Sequence, residues 1–271
     1  MNYRKYIAVF GVLAGLALLS GSVANANHSW GNYHWARTVN PFVLKLGDNV
    51  SSAWDTYLAE ASFDWSGSSV LDTTIVLGGT NNTKGKYTPK NCMPTSGRVE
   101  VCSAKYGSNG WLGVAQIWAS GNHIVQGTAK VNDTYFNTAK YNTPAWKRLV
   151  MCQEVAHTFG LDHQDEDFNN PNLGTCMDYT SDPDGPLSNE HPNAHDYDQL
   201  EAIYDHLDSV TTVGQVVFSG PERSSVFNGV DGEEVAEWGK SIRTSSDHKP
   251  SLFERDLGNG NKVFTFVIWA N

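Results

Sequence analysis

Past its first 26 residues the chain has no apolar run long enough to span a bilayer, which takes about 20 such residues. Basic residues are few, 19 against 29 acids, and they stand singly with no basic stripe. Phosphate binding needs clustered Lys and Arg, so a nucleic-acid partner is excluded as a class. No C-x-x-C pair occurs, which argues against a cysteine-rich metal knuckle. There is no internal repeat.

What is present begins with a targeting signal. Arg4 and Lys5 form a basic n-region, residues 7–19 are apolar and broken only by glycine, and Ala24-Asn25-Ala26 offers a cleavage site. Residues 1–26 therefore read as a signal peptide, with the mature protein starting near Asn27, secreted, soluble and with no membrane association after the signal is removed. About 245 residues remain, enough for a sizeable core. The whole-chain charge is −10, and removal of Arg4 and Lys5 takes the mature protein to about −12. Cys92, Cys102, Cys152 and Cys176 make an even count in an exported chain, so two disulfides are expected. Three connectivities are open; pairing Cys92 with Cys102 would close a short loop and leave Cys152 for Cys176.

Along the chain, residues 41–46 read as a strand. Asp48-Asn49-Val50 offers a helix start, with Val50, Trp54, Tyr57, Leu58 and Ala61 at helical spacing and an end near Gly67. Residues 70–77 predict a buried strand, and 81–91 a surface loop. Strands follow at 98–101, 113–118 and 124–131. In the last, Val125, Ala129 and Val131 share one face, with Gln126, Thr128 and Lys130 on the other, as in a half-exposed edge strand. Such an edge can pair with an extended peptide.

Thr143-Pro144 starts a central helix with a capping hydroxyl and a proline in its first turn. Gly160 sits where that helix should stop. Residues 169–192 lack periodicity and predict a long ordered loop in need of a clip. Residues 194–207 predict a further helix. Beyond 211, short apolar runs at 213–218 and 263–269 suggest a small β-rich extension of unknown role. The expected division is a main domain over 27–210 and an extension over 211–271.

On the central helix lies Gln153-Glu154-Val155-Ala156-His157-Thr158-Phe159-Gly160-Leu161-Asp162-His163. Gln153 and His157 share a face one turn apart, and the break at Gly160 turns His163 back toward them. Two helical ligands plus one from the returning loop leave the fourth tetrahedral position of a zinc ion open, as catalysis requires. The stretch resembles the H-E-x-x-H-x-x-G-x-x-H signature of the metzincin clan of zinc endopeptidases, with Gln153 in place of the first histidine. Cys176-Met177-Asp178-Tyr179 resembles that clan's methionine turn.

The resemblance implies an α+β fold, with a twisted mixed sheet, an active-site helix, a C-terminal helix after the methionine turn, and a cleft with one catalytic Zn2+ at its base. It implies metal ligands at Gln153, His157 and His163, with Glu154 as the general base acting on zinc-bound water. Met177 would be a non-ligating floor, and Tyr179 a partner of the oxyanion or of the resting metal. The implied activity is hydrolysis of internal peptide bonds in an extended protein or peptide substrate, by a monomer.

At Gln153 three readings stay open. Its amide oxygen ligates the metal; or Asp162 or Asp165 completes a two-histidine site; or the fold persists as a catalytically silent binding module. A glycan hydrolase would need a paired-carboxylate constellation, and none competes with the zinc motif. Asp162, Asp165, Glu166, Asp167, Asp178, Asp182 and Asp184 gather oxygens nearby. They do not follow the Ca2+-loop spacing, so a solvated acidic rim is expected in preference to Ca2+.

Overall fold

The computed structural model describes residues 28–79, 90–214 and 235–271. The expected signal at 1–26, most of the loop at 81–91 and most of the apolar run at 213–218 lie outside them. In order, the elements are β1 (His34–Trp35), β2 (Phe42–Asn49), α1 (Asp55–Trp65), β3 (Leu71–Leu77), β4 (Val99–Ala104), β5 (Trp111–Ser120) and β6 (His123–Asn132). There follow α2 (Asp133–Phe136), α3 (Pro144–His157), α4 (Ala194–Ile203), β7 (Lys240–Thr244), β8 (Pro250–Gly258) and β9 (Asn261–Trp269).

The strands form one open mixed sheet in the order β3-β2-β4-β6-β5-β9-β8-β7, with β1 added in parallel at the start of β6. From β3 to β6 the pairings are parallel; from β6 through β5, β9 and β8 to β7 they are antiparallel. A mixed sheet with few helices is an α+β arrangement. The main core unites Trp54, Leu58 and Trp65, from α1 and the turn before it, with Leu149 and Val150 of α3 and Leu44 of β2. Among the described residues no helix is long and apolar enough to cross a membrane.

Several local expectations are corrected. Asp48 and Asn49 do not open a helix: they finish β2, and α1 begins at Asp55. Asn49 is fixed there because its side-chain amide donates to Glu100 at 2.7 Å. β3 is not a buried strand but the sheet's outer strand, with Leu77 80% exposed.

β6 is not an edge. It lies between β4 and β5, and Gln126, Thr128 and Lys130 are all buried. Its polar face belongs to a buried row running across five strands, in register from Gly47 through Glu100, Thr128 and Gln116 to Thr265. The chain on either side of residues 80–89 reaches this face: Gly79 N donates to Glu100, Ser96 Oγ donates to Gln126, and a disulfide joins Cys92 to Cys102. A polar stripe covered in this way looks like a solvent face in the sequence.

The strands within 211–271 do not stand apart. β9 pairs with β5 along its length, from Trp111 opposite Trp269 to Ser120 opposite Asn261. Leu252, Phe264, Phe266 and Ile268 enter the main core. The second disulfide joins Cys152 on α3 to Cys176, 24 positions on, and clips the long loop to the central helix. Asn189 helps to order that loop, donating to Asp178 and accepting from the amides of Gly174 and Thr175.

Candidate metal centre

Helix α3 starts as its sequence requires. The Thr143 hydroxyl accepts from Trp146 N at 3.3 Å, and Pro144 takes the first helical position, where no amide hydrogen is needed. The helix stops at Thr158, and Gly160 takes φ +102°, a backbone state closed to side-chain-bearing residues except at a cost. A Cβ there would also lie 2.6 Å from the Tyr33 carbonyl oxygen. Gly160→Ala is therefore expected to destabilise the protein by at least about 1–2 kcal/mol, read as a lower urea midpoint; an unchanged midpoint would contradict this account of the turn.

The turn brings His163 onto His157. Their Nε2 atoms are 2.9 Å apart and the rings cross nearly at right angles. His157 Nδ1 faces the Leu161 carbonyl at 2.8 Å, and a carbonyl can only accept, so Nδ1 carries the hydrogen. His163 Nδ1 donates in the same way to Glu166 at 2.6 Å. With both hydrogens on Nδ1, the two neutral rings aim Nε2 lone pairs at one another in a buried space. That arrangement is repulsive unless a cation sits between them. Imidazoles oriented through their other nitrogen to a carbonyl and a carboxylate are the usual form of histidine metal ligands.

Gln153 and Glu154 are buried beside them. Gln153 Nε2 donates to the Cys176 carbonyl at 2.8 Å, which leaves Oε1 as the free end, and Oε1 has no hydrogen-bond partner. Neither carboxylate oxygen of Glu154 has one. Burial pushes the Glu154 carboxyl well above the ordinary carboxylate range, and the His157 ring well below the ordinary imidazole range, with His163 adding to the second effect. Two facing lone-pair nitrogens and, one helical turn before His157, an amide oxygen without a hydrogen-bond donor are donor types that suit Zn2+.

The methionine turn lies against this set. Met177 is buried, and its carbonyl accepts from Gln164 N at 2.6 Å. The Tyr179 ring tilts onto His163, with centroids 4.5 Å apart. Its hydroxyl is not free: it donates to the Val267 carbonyl of β9 at 2.9 Å. Burial, with smaller contributions from nearby carboxylates, pushes the Tyr179 phenol well above its ordinary range.

No family model and no curated protein matches the chain. Among solved structures it is similar to high choriolytic enzyme 1, a hatching-enzyme zinc protease of the medaka fish Oryzias latipes. Identity is 12%, over 64% of this chain and 94% of that one, with a TM-score of 0.35. At that likeness no residue role carries over, and the site is read from its own atoms.

Of the nearby acids, Asp182 and Asp184 are exposed as a solvated rim would be, but Asp162, Glu166 and Asp178 are not. Arg243 of β7 grips both carboxylate oxygens of Asp162 and also reaches Glu166 at 3.5 Å. Burial opposes the Glu166 charge, but the hydrogen bonds from His163 and Ser251 and the Arg243 charge together hold its carboxyl down to about 2. Asp165 accepts from Asp167 N and the Asn170 side chain. Asp178 is buried, and burial pushes it up to about 6. Asp162 and Asp165, the sequence's alternatives for a third ligand, thus already have partners.

Nor is the expected cleft open. Phe266 of β9 stacks on His157 with centroids 4.1 Å apart and planes 10° from parallel. Over Glu154 the backbone of β5 passes so closely that a Cβ at Gly113 would fall 2.5 Å from its carboxylate. Gly113, Glu166, Arg243 and Phe266 all shape the site and were not singled out as site residues in the sequence. Only Glu166, three positions after His163, gave a local sign.

Proposed function

We propose that the protein is an exported zinc-dependent metalloendopeptidase, active on extended protein or peptide substrates, whose centre is closed by its own C-terminal strand. The observation that carries the reading is the pair of buried Nε2 lone pairs converging from His157 and His163 beside the partnerless Gln153 Oε1 and Glu154. His157 Nε2, His163 Nε2 and Gln153 Oε1 would hold the ion, which supplies Lewis acidity toward a carbonyl and an acidified water. Glu166 and the Leu161 carbonyl fix the two rings, and the Cys176 carbonyl fixes the amide. Glu154 takes the proton of the attacking water and later passes it to the leaving amine. Tyr179, once released from Val267, has a hydroxyl to donate to the developing oxyanion.

An extended substrate would pair with β5, since β5 is the strand whose outer edge β9 covers. β9 lies antiparallel there and places Phe266 over His157, so turnover requires this edge to be vacated. That closure also favours a second reading, a metal-binding module without turnover. Burying a large apolar side chain contributes about 1.5–3 kcal/mol, and Phe264, Phe266 and Ile268 are all buried.

Zinc analysis of the purified protein, beside digestion of an unfolded protein substrate by wild type and Phe266→Ala, separates the readings. Near-stoichiometric zinc, with hydrolysis faster per bound zinc in Phe266→Ala, supports the peptidase. Zinc without hydrolysis in either form supports the module. Failure to take up zinc at the His157–His163 pair, shown by equal zinc uptake in His157→Ala, sinks both.

A further inference from the structure

We propose a second transition-metal site, built from His34, His206 and Asp208 with His123 at its rim, on the side of the sheet where β1 meets the segment after α4. It shares no residue with the centre around His157 and does not rest on the function proposed for it.

Three parts of the chain supply the donors. His34 lies on β1, and His123 opens β6 directly opposite it in register. His206 and Asp208 follow α4. Backbone hydrogen bonds hold these parts together without any ion: His34 N to the Asn122 carbonyl at 3.1 Å, Asp208 N to Arg37 O at 2.9 Å, and Thr212 N to Ala36 O at 2.9 Å. The donors therefore converge through the fold rather than through flexible side chains.

His34 Nδ1 faces the Asn32 carbonyl at 2.8 Å, so its hydrogen sits there and Nε2 is left as the donor of a lone pair. His206 Nδ1 faces Asp205 Oδ1 at 3.0 Å, with the same consequence. His34 Nε2 is 3.3 Å from His206 Nε2 and 3.4 Å from Asp208 Oδ1. His123 Nε2 is 3.3 Å from the same carboxylate oxygen, and His206 Nε2 is 3.9 Å from it.

Neighbouring ligands on a tetrahedral zinc, with bonds of 2.0–2.1 Å, are about 3.3 Å apart. Within the triangle of His34, His206 and Asp208 two separations match that spacing and the third is wider, while His123 approaches only the carboxylate. An added proton on His34 Nε2 could satisfy only one of the two acceptors it faces. One cation held by His34, His206 and Asp208 satisfies them together.

The carboxylate is prepared for such a role. Asp208 Oδ2 accepts from Arg37 N at 3.1 Å and from Arg37 Nη1 at 3.0 Å, which leaves Oδ1 turned to the histidines. Arg37 also donates to the His206 carbonyl, so one cation orients two of the ligating residues. The site is reachable from solvent, because the His206 side chain is 50% exposed and that of His123 36%.

Two imidazoles and one carboxylate select a borderline divalent ion, with Zn2+ the simplest fit, over Ca2+ or Mg2+. Three protein ligands leave one position to solvent, and the role of the site is to clamp β1 to the segment after α4.

The test uses the whole exported protein, stripped of metal and reloaded with Zn2+ alone. Wild type is expected to bind one equivalent more than His206→Ala, while His191→Ala, an exposed histidine elsewhere, keeps the wild-type count. Zinc affinity at this site should fall by more than about 100-fold in His206→Ala, beyond the 10–100-fold range of outer-sphere changes. Should that variant fail to fold, carbethoxylation of wild type, read by peptide mass, gives the answer directly: zinc must protect His206 but not His191. Equal zinc content in wild type and His206→Ala, or modification of His206 unaffected by zinc, overturns the proposal and leaves a proton-sharing cluster only.

Discussion

Glu154→Gln is expected to lower peptide hydrolysis by about 10²–10⁴-fold, the contribution of a positioned general base, while zinc content stays unchanged. The two side chains have the same shape, so packing under Gly113 is preserved. What disappears is the ability to take a proton. Stability should not fall, because an amide removes the cost of a buried carboxylate that lacks a hydrogen-bond partner. Kinetics on the opened form, with zinc analysis and a melting curve on the same preparation, check all three parts. Hydrolysis that persists at the wild-type rate would remove Glu154 from the mechanism. A loss of zinc together with activity would instead make it a ligand.

The second large effect concerns the Cys152–Cys176 disulfide. Its 24-residue separation corresponds to a loop-closure contribution of about 3.5 kcal/mol. For a chain of this size that is a fall in melting temperature of about 7–14 °C in the Cys152→Ser/Cys176→Ser protein. The Cys92–Cys102 bridge closes a loop of 10 and should cost only slightly less when removed, about 2.8 kcal/mol. Zinc affinity separates the two. The Cys176 carbonyl holds the Gln153 amide, so loss of the first bridge should weaken metal binding and loss of the second should not. Equal zinc retention in both double variants would show that the clip does not orient Gln153.

Features governed by neighbouring residues could be read in advance. Thr143 and Pro144 announced the start of α3, Gly160 its end, and the spacing of His157 and His163 their meeting, because capping, left-handed turns and helical periodicity act over a few residues. The place of each strand in the sheet could not. Residues 124–131 alternate as an edge strand would, yet whether a strand is central depends on partners elsewhere in the chain, here β4 and β5. The same holds for the closure of the centre. Phe266 and Arg243 reach it from β9 and β7, about 80–110 residues past the motif, and no local pattern marks them.

The pairing of β5 with β9 has a consequence for synthesis. The two strands are separated by about 150 residues, so β5 waits for its partner until β9 has been made. Until then Leu112, Ala115 and Ile117 belong to a row with open amides and carbonyls along one side, a template for another chain. Premature termination before residue 261 would release that row permanently. Truncated products should therefore gather into aggregates rather than accumulate as soluble fragments.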